Sequence, residues 1–250
     1  MSLKKYIISG NIIEVYSYDK YIKGRGNTKG ENLKNSLTDE KTKQINYNKT
    51  QTRRRELIRR LACINFNNKY DKFLTLTYAE NVQDLTYSHE EFKKFIKRLE
   101  YKIKRKIKYL AVIEFQDTYG RGAIHYHCLL DIPYIPQNEL QEIWGLGIVH
   151  INAISHVDNL GAYLIKYMTK DSDDIRLRGK KGYLLSRNLK RPETILNHDL
   201  SDFYYKVDKL YKKYNLNDLK PVYTSEYLTD KLGFCEYKQY NIIRKEKEDE

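Results

Sequence analysis

The sequence predicts an α+β fold built around an antiparallel sheet, and three observations carry that prediction. Apolar runs of strand length alternate with helical patterns in the order β-α-β-β-α-β-α over residues 73–170. A single apolar stripe at helical spacing, Phe92, Phe95, Ile96, Leu99 and Ile103, separates the first two strands. A short glycine-containing loop, 117–122, joins the second strand to the third and makes them a hairpin.

The elements follow in order. Tyr6 to Tyr16 reads as a hairpin turning at Gly10-Asn11. Residues 23–50 read as a flexible polar stretch. From 51 to 68 the apolar spacing 57, 61, 64 is helical, with Arg53, Arg54, Arg55, Arg59 and Arg60 on its flanks. Phe73 to Thr77 is a strand. Ser88, followed three residues later by Glu91, forms a capping box opening the next helix. Tyr109 to Phe115 and Ala123 to Leu130 are the hairpin strands. Pro133 and Pro136 end the second of these, Gln137 to Trp144 is a short helix, and Gly147 to Asn152 is a fourth strand. Asp158 is expected to cap a last helix running to about Lys170. Beyond it, Asp171 to Asp174 reads as a loop, Tyr204 to Tyr214 as a helix, and Arg244 to Glu250 as a frayed end.

The first six of these elements have the order of the ferredoxin-like, RRM-like βαββαβ unit. In that topology the first and third strands are central and helices cover one face. The face carrying His125 and His127 is then expected to be open. The expected organisation is a basic extension over 1–52, a core over 53–172 and an accessory region over 173–250.

Bulk properties bound the function. The formal net charge is +13, and residues 1–60 hold 15 Lys or Arg against 6 Asp or Glu. That excess favours a polyanionic partner, nucleic acid first. Cys63, Cys128 and Cys235 form no C-x-x-C pair, which argues against a disulfide framework or a thiolate zinc site. No apolar run reaches the length of a membrane span and no signal-peptide pattern opens the chain, so a cytoplasmic location is expected. A phosphate loop of the G-x-x-x-x-G-K-[ST] type does not occur, so no helicase is fused to the chain.

Three features converge on one chemistry. His125 and His127 are two apart on a strand and project from one face. Glu114 falls opposite His125 if the hairpin pairs 114 with 125, and directly paired residues share a face. Two imidazoles and a carboxylate leave positions open for water and substrate oxygens, as a catalytic divalent site requires. Mn²⁺ suits histidine ligation better than Mg²⁺, and Mg²⁺ is the more abundant in cells. On the last helix, Tyr163 and Tyr167 are neighbours at i and i+4, as are Lys166 and Lys170. A phenol is a poor nucleophile without a cation beside it, and Lys166 and Lys170 stand three residues after each tyrosine. With the 53–60 arginines as phosphate contacts, the set describes attack on a phosphodiester.

At these residues the chain resembles the HUH endonucleases, and among them the rolling-circle replication initiator proteins of small plasmids and bacteriophages. The resemblance spans roughly 53–192. It lies in Phe73-Leu74-Thr75-Leu76-Thr77, in Glu114 with Gly122-Ala123-Ile124-His125-Tyr126-His127, and in Tyr163-Leu164-Ile165-Lys166-Tyr167. The metal motif precedes the tyrosines, as in initiators; conjugative relaxases have the reverse order. The resemblance implies that a tyrosine nicks one DNA strand and forms a 5′-phosphotyrosine, leaving a 3′-OH for a polymerase. It makes Tyr163 the first-position nucleophile and Tyr167 the second tyrosine of two-tyrosine members. It also implies single-stranded origin DNA as substrate, and a separate host helicase and DNA polymerase as partners. Two alternatives compete: an HUH-type transposase, and a non-catalytic RRM-like nucleic-acid-binding protein. The second lacks its stacking platform, because Ala123, His125 and Cys128 stand where RNA-binding rings belong.

Overall fold

A computed structural model describes residues 3–19, 40–117, 120–170, 175–196, 200–229 and 232–244. The elements are β1 (Leu3–Ser9), β2 (Ile12–Tyr18), α1 (Glu40–Asn65), β3 (Lys72–Leu76), α2 (Leu85–Ile103), β4 (Tyr109–Gln116) and β5 (Ala123–Leu130). They continue as α3 (Gln137–Trp144), β6 (Val149–Asn152), α4 (Leu160–Lys170), β7 (Tyr183–Leu185), β8 (Glu193–Leu196), α5 (Leu200–Tyr214), β9 (Tyr223–Thr229) and β10 (Gly233–Asn241). The chain divides into two compact units. One is 54–191; the other combines 1–53 with 192–250. The core therefore runs past the 172 boundary read from the sequence, because β7 pairs with β4.

The 54–191 unit holds a sheet of order β6-β3-β5-β4-β7, antiparallel throughout. The four strands of the βαββαβ unit take the expected order, with β3 and β5 central, and β7 extends the β4 edge. On one face α2 and α3 bury Phe92, Phe95, Leu99, Leu140 and Trp144 against Leu74, Ile113, Tyr126 and Cys128. The opposite face differs from expectation. It is covered, not open: Ile58, Leu61 and Ala62 of α1 and Leu160 and Leu164 of α4 pack on Phe73, Leu110, Val112 and Leu129. Both helices present an apolar line, and a sheet face rich in Phe, Leu and Val buries it.

Two helix starts also differ. Ser88 lies inside α2, and the cap is Asp84, whose Oδ1 accepts from the Thr86 amide at 2.8 Å. The Ser88 hydroxyl is instead buried, donating to the Tyr126 hydroxyl at 2.8 Å and accepting from that of Tyr78 at 3.0 Å. At α4 the cap is Asn159 in place of Asp158: its Oδ1 accepts from the Ala162 amide at 2.9 Å. Residues 40–50, expected as part of a flexible stretch, are the first turns of α1. The rest of that stretch, 23–39, lies outside the described residues, as do Asp171 to Asp174 and 245–250 of the charged end.

His89, on α2, is half-buried and its Nε2 has no hydrogen-bond partner. Burial, and then the charge of Lys93, hold its pKa below the ordinary value. A depressed folded-state value means that the stability it contributes is complete above the unfolded pKa of about 6.5 and is lost as pH falls. The urea midpoint is therefore expected to drop between pH 7.5 and pH 5, and to drop less in His89→Gln.

The other unit holds a second antiparallel sheet of order β8-β1-β2-β10-β9. The expected N-terminal hairpin is present, with Ser9 paired to Ile12 and Gly10 at φ 62°. Glycine in the first turn position takes that φ without cost, which fits a two-residue hairpin turn. Phe203 and Leu210 of α5 pack on Tyr6, Ile13, Val15 and Ile195.

Candidate active site

The site lies on the α1/α4 face of the first sheet. Glu114 pairs with His125, and His127 stands two residues on, so all three leave the same face. His127 is 5% exposed. Its Nε2 shares a hydrogen bond with Glu114 Oε2 at 2.6 Å, and its Nδ1 lies 3.2 Å from Thr75 Oγ1. Thr75 donates its one hydroxyl proton to Asn152 Oδ1 at 3.1 Å. The Thr75 oxygen must then accept from His127, which puts a proton on Nδ1 and aims Nε2 at Glu114. Burial first, and then the charge of His127, lower the pKa of His125; Glu114 opposes the shift.

α4 brings the tyrosines to this face. The Tyr167 ring stacks on the His127 imidazole, with centroids 3.6 Å apart and planes 17° apart. Tyr163 meets Tyr167 edge-on at 6.1 Å and Phe73 edge-on at 5.0 Å. Phe73, fully buried, is the ring against which both tyrosines are set. Burial, a hydrogen bond with Tyr163 and the Glu114 charge push the Tyr167 phenol well above its ordinary value. Lys166 is exposed, with its Nζ 5.0 Å from the Tyr163 ring centre. Lys170 ends α4, and its side chain lies outside the described residues.

The helix register that delivers the tyrosines depends on a close crossing. A Cβ on Gly161 would stand 2.3 Å from the Arg59 carbonyl oxygen and 2.8 Å from its Cγ. α4 thus rests on the backbone of α1. The arginines have varied settings. Arg53 is exposed, Arg54 donates to the Lys180 carbonyl at 3.1 Å, and Arg60 lies 3.5 Å from Glu56. Arg55 and Arg59 are half-buried.

The donor chemistry of Glu114, His125 and His127 fits a divalent ion. As placed, the Glu114–His127 hydrogen bond takes up two donor atoms. Among the described residues no three His, Cys, Asp or Glu side chains converge closely enough to hold a metal.

Several residues of the site went unread in the sequence. Thr75 and Asn152 were strand residues with no assigned role, and His150, paired with Thr75, is exposed on the same face. Period-2 alternation from Phe73 and from Asn152 would have placed them there. Arg121, across the loop, donates to the carbonyls of Tyr78 at 2.8 Å and Ala79 at 2.7 Å, pinning the segment after β3. Among the described residues, no helix is long and apolar enough to cross a membrane.

Searches of curated proteins and of solved structures returned no match. Residues 71–172 match the model of the replication-associated protein ORF2 family. That span contains Phe73, Thr75, Glu114, His125, His127, Tyr163 and Tyr167, and the similarity fits a replication initiator.

Proposed function

We propose that the protein is a replication initiator that nicks and rejoins single-stranded DNA at a rolling-circle origin. The observation that carries the reading is the seating of Tyr163 and Tyr167 over the Glu114–His127 pair. A phenol oxygen of α4 attacks the scissile phosphorus. The bond to the 3′ oxygen breaks, the phenol proton is lost, and the 3′ oxygen leaves as a hydroxyl. The product is a 5′-phosphotyrosine, and attack by a 3′-hydroxyl on that linkage rejoins the strand.

Glu114, His125 and His127 would hold Mg²⁺ or Mn²⁺, whose charge supplies polarisation of the scissile phosphate. His127 Nε2 becomes available to an ion only when the proton shared with Glu114 is given up. Thr75 supports this by accepting from Nδ1, which leaves the Nε2 lone pair as the ligand. Thr75→Val removes that acceptor. It is expected to weaken Mn²⁺ binding by roughly 10- to 100-fold in calorimetry, with Thr75→Ser restoring most of the affinity.

Tyr163 takes the first attack in this reading, with Lys166 beside its ring to favour the phenolate. Tyr167 serves as the second tyrosine, its phenol kept protonated by burial and by the Glu114 charge until that charge is neutralised. The arginines at 53–60 and Lys170 contribute phosphate contacts, while a separate helicase and polymerase act at the nick. The test is incubation with labelled origin-strand oligonucleotides and Mn²⁺. A protein-linked product is expected, with the nucleotide on the peptide carrying Tyr163 or Tyr167. Binding without any adduct, on every candidate origin strand, overturns the reading.

A further inference from the structure

Residues 93–108 contain nine Lys or Arg and one Glu, a concentration of positive charge apart from the 53–60 arginines. Most of these residues lie on α2, whose apolar side packs on the sheet face opposite the tyrosines. Four of the basic side chains are held by carboxylates: Lys94 by Glu91, Lys102 by Glu139, Arg105 by Asp131 and Lys106 by Glu100. Arg98 donates to the carbonyls of Ile143 and Trp144. Lys93, Lys97 and Lys104 are exposed and enter no ion pair among the described residues. Lys104 also ends the helix at φ 54°, a left-handed position that favours glycine or asparagine. A lysine there is an outlier that points to a use for its charge.

We infer that the outer face of α2 binds the phosphate backbone of double-stranded DNA through Lys93, Lys97 and Lys104. Three observations choose this occupant. The net charge of the patch calls for a polyanion. Lys93 and Lys104 stand eleven residues apart on a helix, about 16 Å along its axis, enough to reach phosphates on both sides of a groove about 12 Å wide. The surface is a convex helix flanked by a shallow concavity of about 540 Å³, lined by Lys97, Tyr101, Lys104, Arg105 and Lys106. Tyr101 is 88% exposed, but a row of lysines on a convex helix lacks the successive rings on which a single strand stacks. The duplex would lie on the face of the sheet away from Tyr163, so the inference does not depend on the tyrosine chemistry.

The test uses the full chain and a labelled duplex of about two helical turns. The triple variant Lys93→Gln/Lys97→Gln/Lys104→Gln should bind duplex more weakly, with a plot of log affinity against log salt shallower by about 2 to 3. The same change at Lys209, Lys212 and Lys213 of α5 controls for total charge and should leave the slope near that of the unmodified chain. Nicking of a short single-stranded oligonucleotide should be unaffected by the α2 variant. An unchanged duplex slope overturns the inference and leaves an acidic protein surface as the partner of this face. An equal loss in the α5 control also overturns it, as non-specific attraction. So does a loss confined to single strands and shared by Tyr101→Ala.

Discussion

Tyr163→Phe should abolish the protein–DNA adduct, by about 10³-fold or more, while oligonucleotide binding is retained. The substitution removes one oxygen and leaves the ring that packs on Phe73 and Tyr167, so the fold has no reason to change. Tyr167→Phe should behave differently. Its ring remains stacked on His127, and the first cleavage should survive. What should fail is the second transfer, seen as an adduct that accumulates and does not resolve into rejoined strand. The opposite pattern, with the adduct lost in Tyr167→Phe and kept in Tyr163→Phe, exchanges the two roles. The geometry gives that exchange a physical basis, because Tyr167 is the tyrosine in ring contact with His127. Its raised phenol pKa, with the Glu114 charge among the causes, works against it.

Gly161→Ala should be among the most damaging small substitutions in the 54–191 unit. The added methyl would lie 2.3 Å from a main-chain oxygen of α1, which cannot rotate aside as a side-chain tip can. Relief requires α4 to back away by about 1 Å, and overpacking of this kind costs about 3 kcal/mol. The displaced helix carries both tyrosines. A misplacement of that size at a reacting group costs about 10²-fold in rate, so adduct formation should fall beyond what lost folding explains. The denaturation midpoint and the adduct yield of the folded fraction measure the two effects separately. Gly120→Ala is the comparison: nothing lies within 4 Å of its added Cβ, and the strain of φ +71° alone should cost about 1 kcal/mol.

What could be read from the sequence was local. The α2 stripe, the strands and the Glu114–His125 register follow from periodicity and loop length, and the structure has them. What could not be read depends on partners distant in sequence. Ser88 has the spacing of a capping residue, but its hydroxyl is claimed by Tyr78 and Tyr126, and Asp84 caps instead. The covered tyrosine face needed the docking of α1 and α4, whose contacts join residues about a hundred positions apart. Thr75 gained a role only once β6 placed Asn152 beside it. The second sheet was the least legible part, because β1 and β2 find their other partners in β8 and β10.

That last pairing has a consequence for how the chain is made. The N-terminal hairpin leaves the ribosome first, yet the strands that flank it come from residues 193–196 and 233–241. At about 5 to 20 residues per second, the hairpin waits roughly 10 to 45 seconds for its neighbours. During that time the 54–191 unit is fully synthesised and its own strands can pair, while β1 and β2 each offer a bare edge to any other nascent chain. Synthesis rate and chaperone occupancy, more than final stability, should therefore govern how much of this protein reaches its native form.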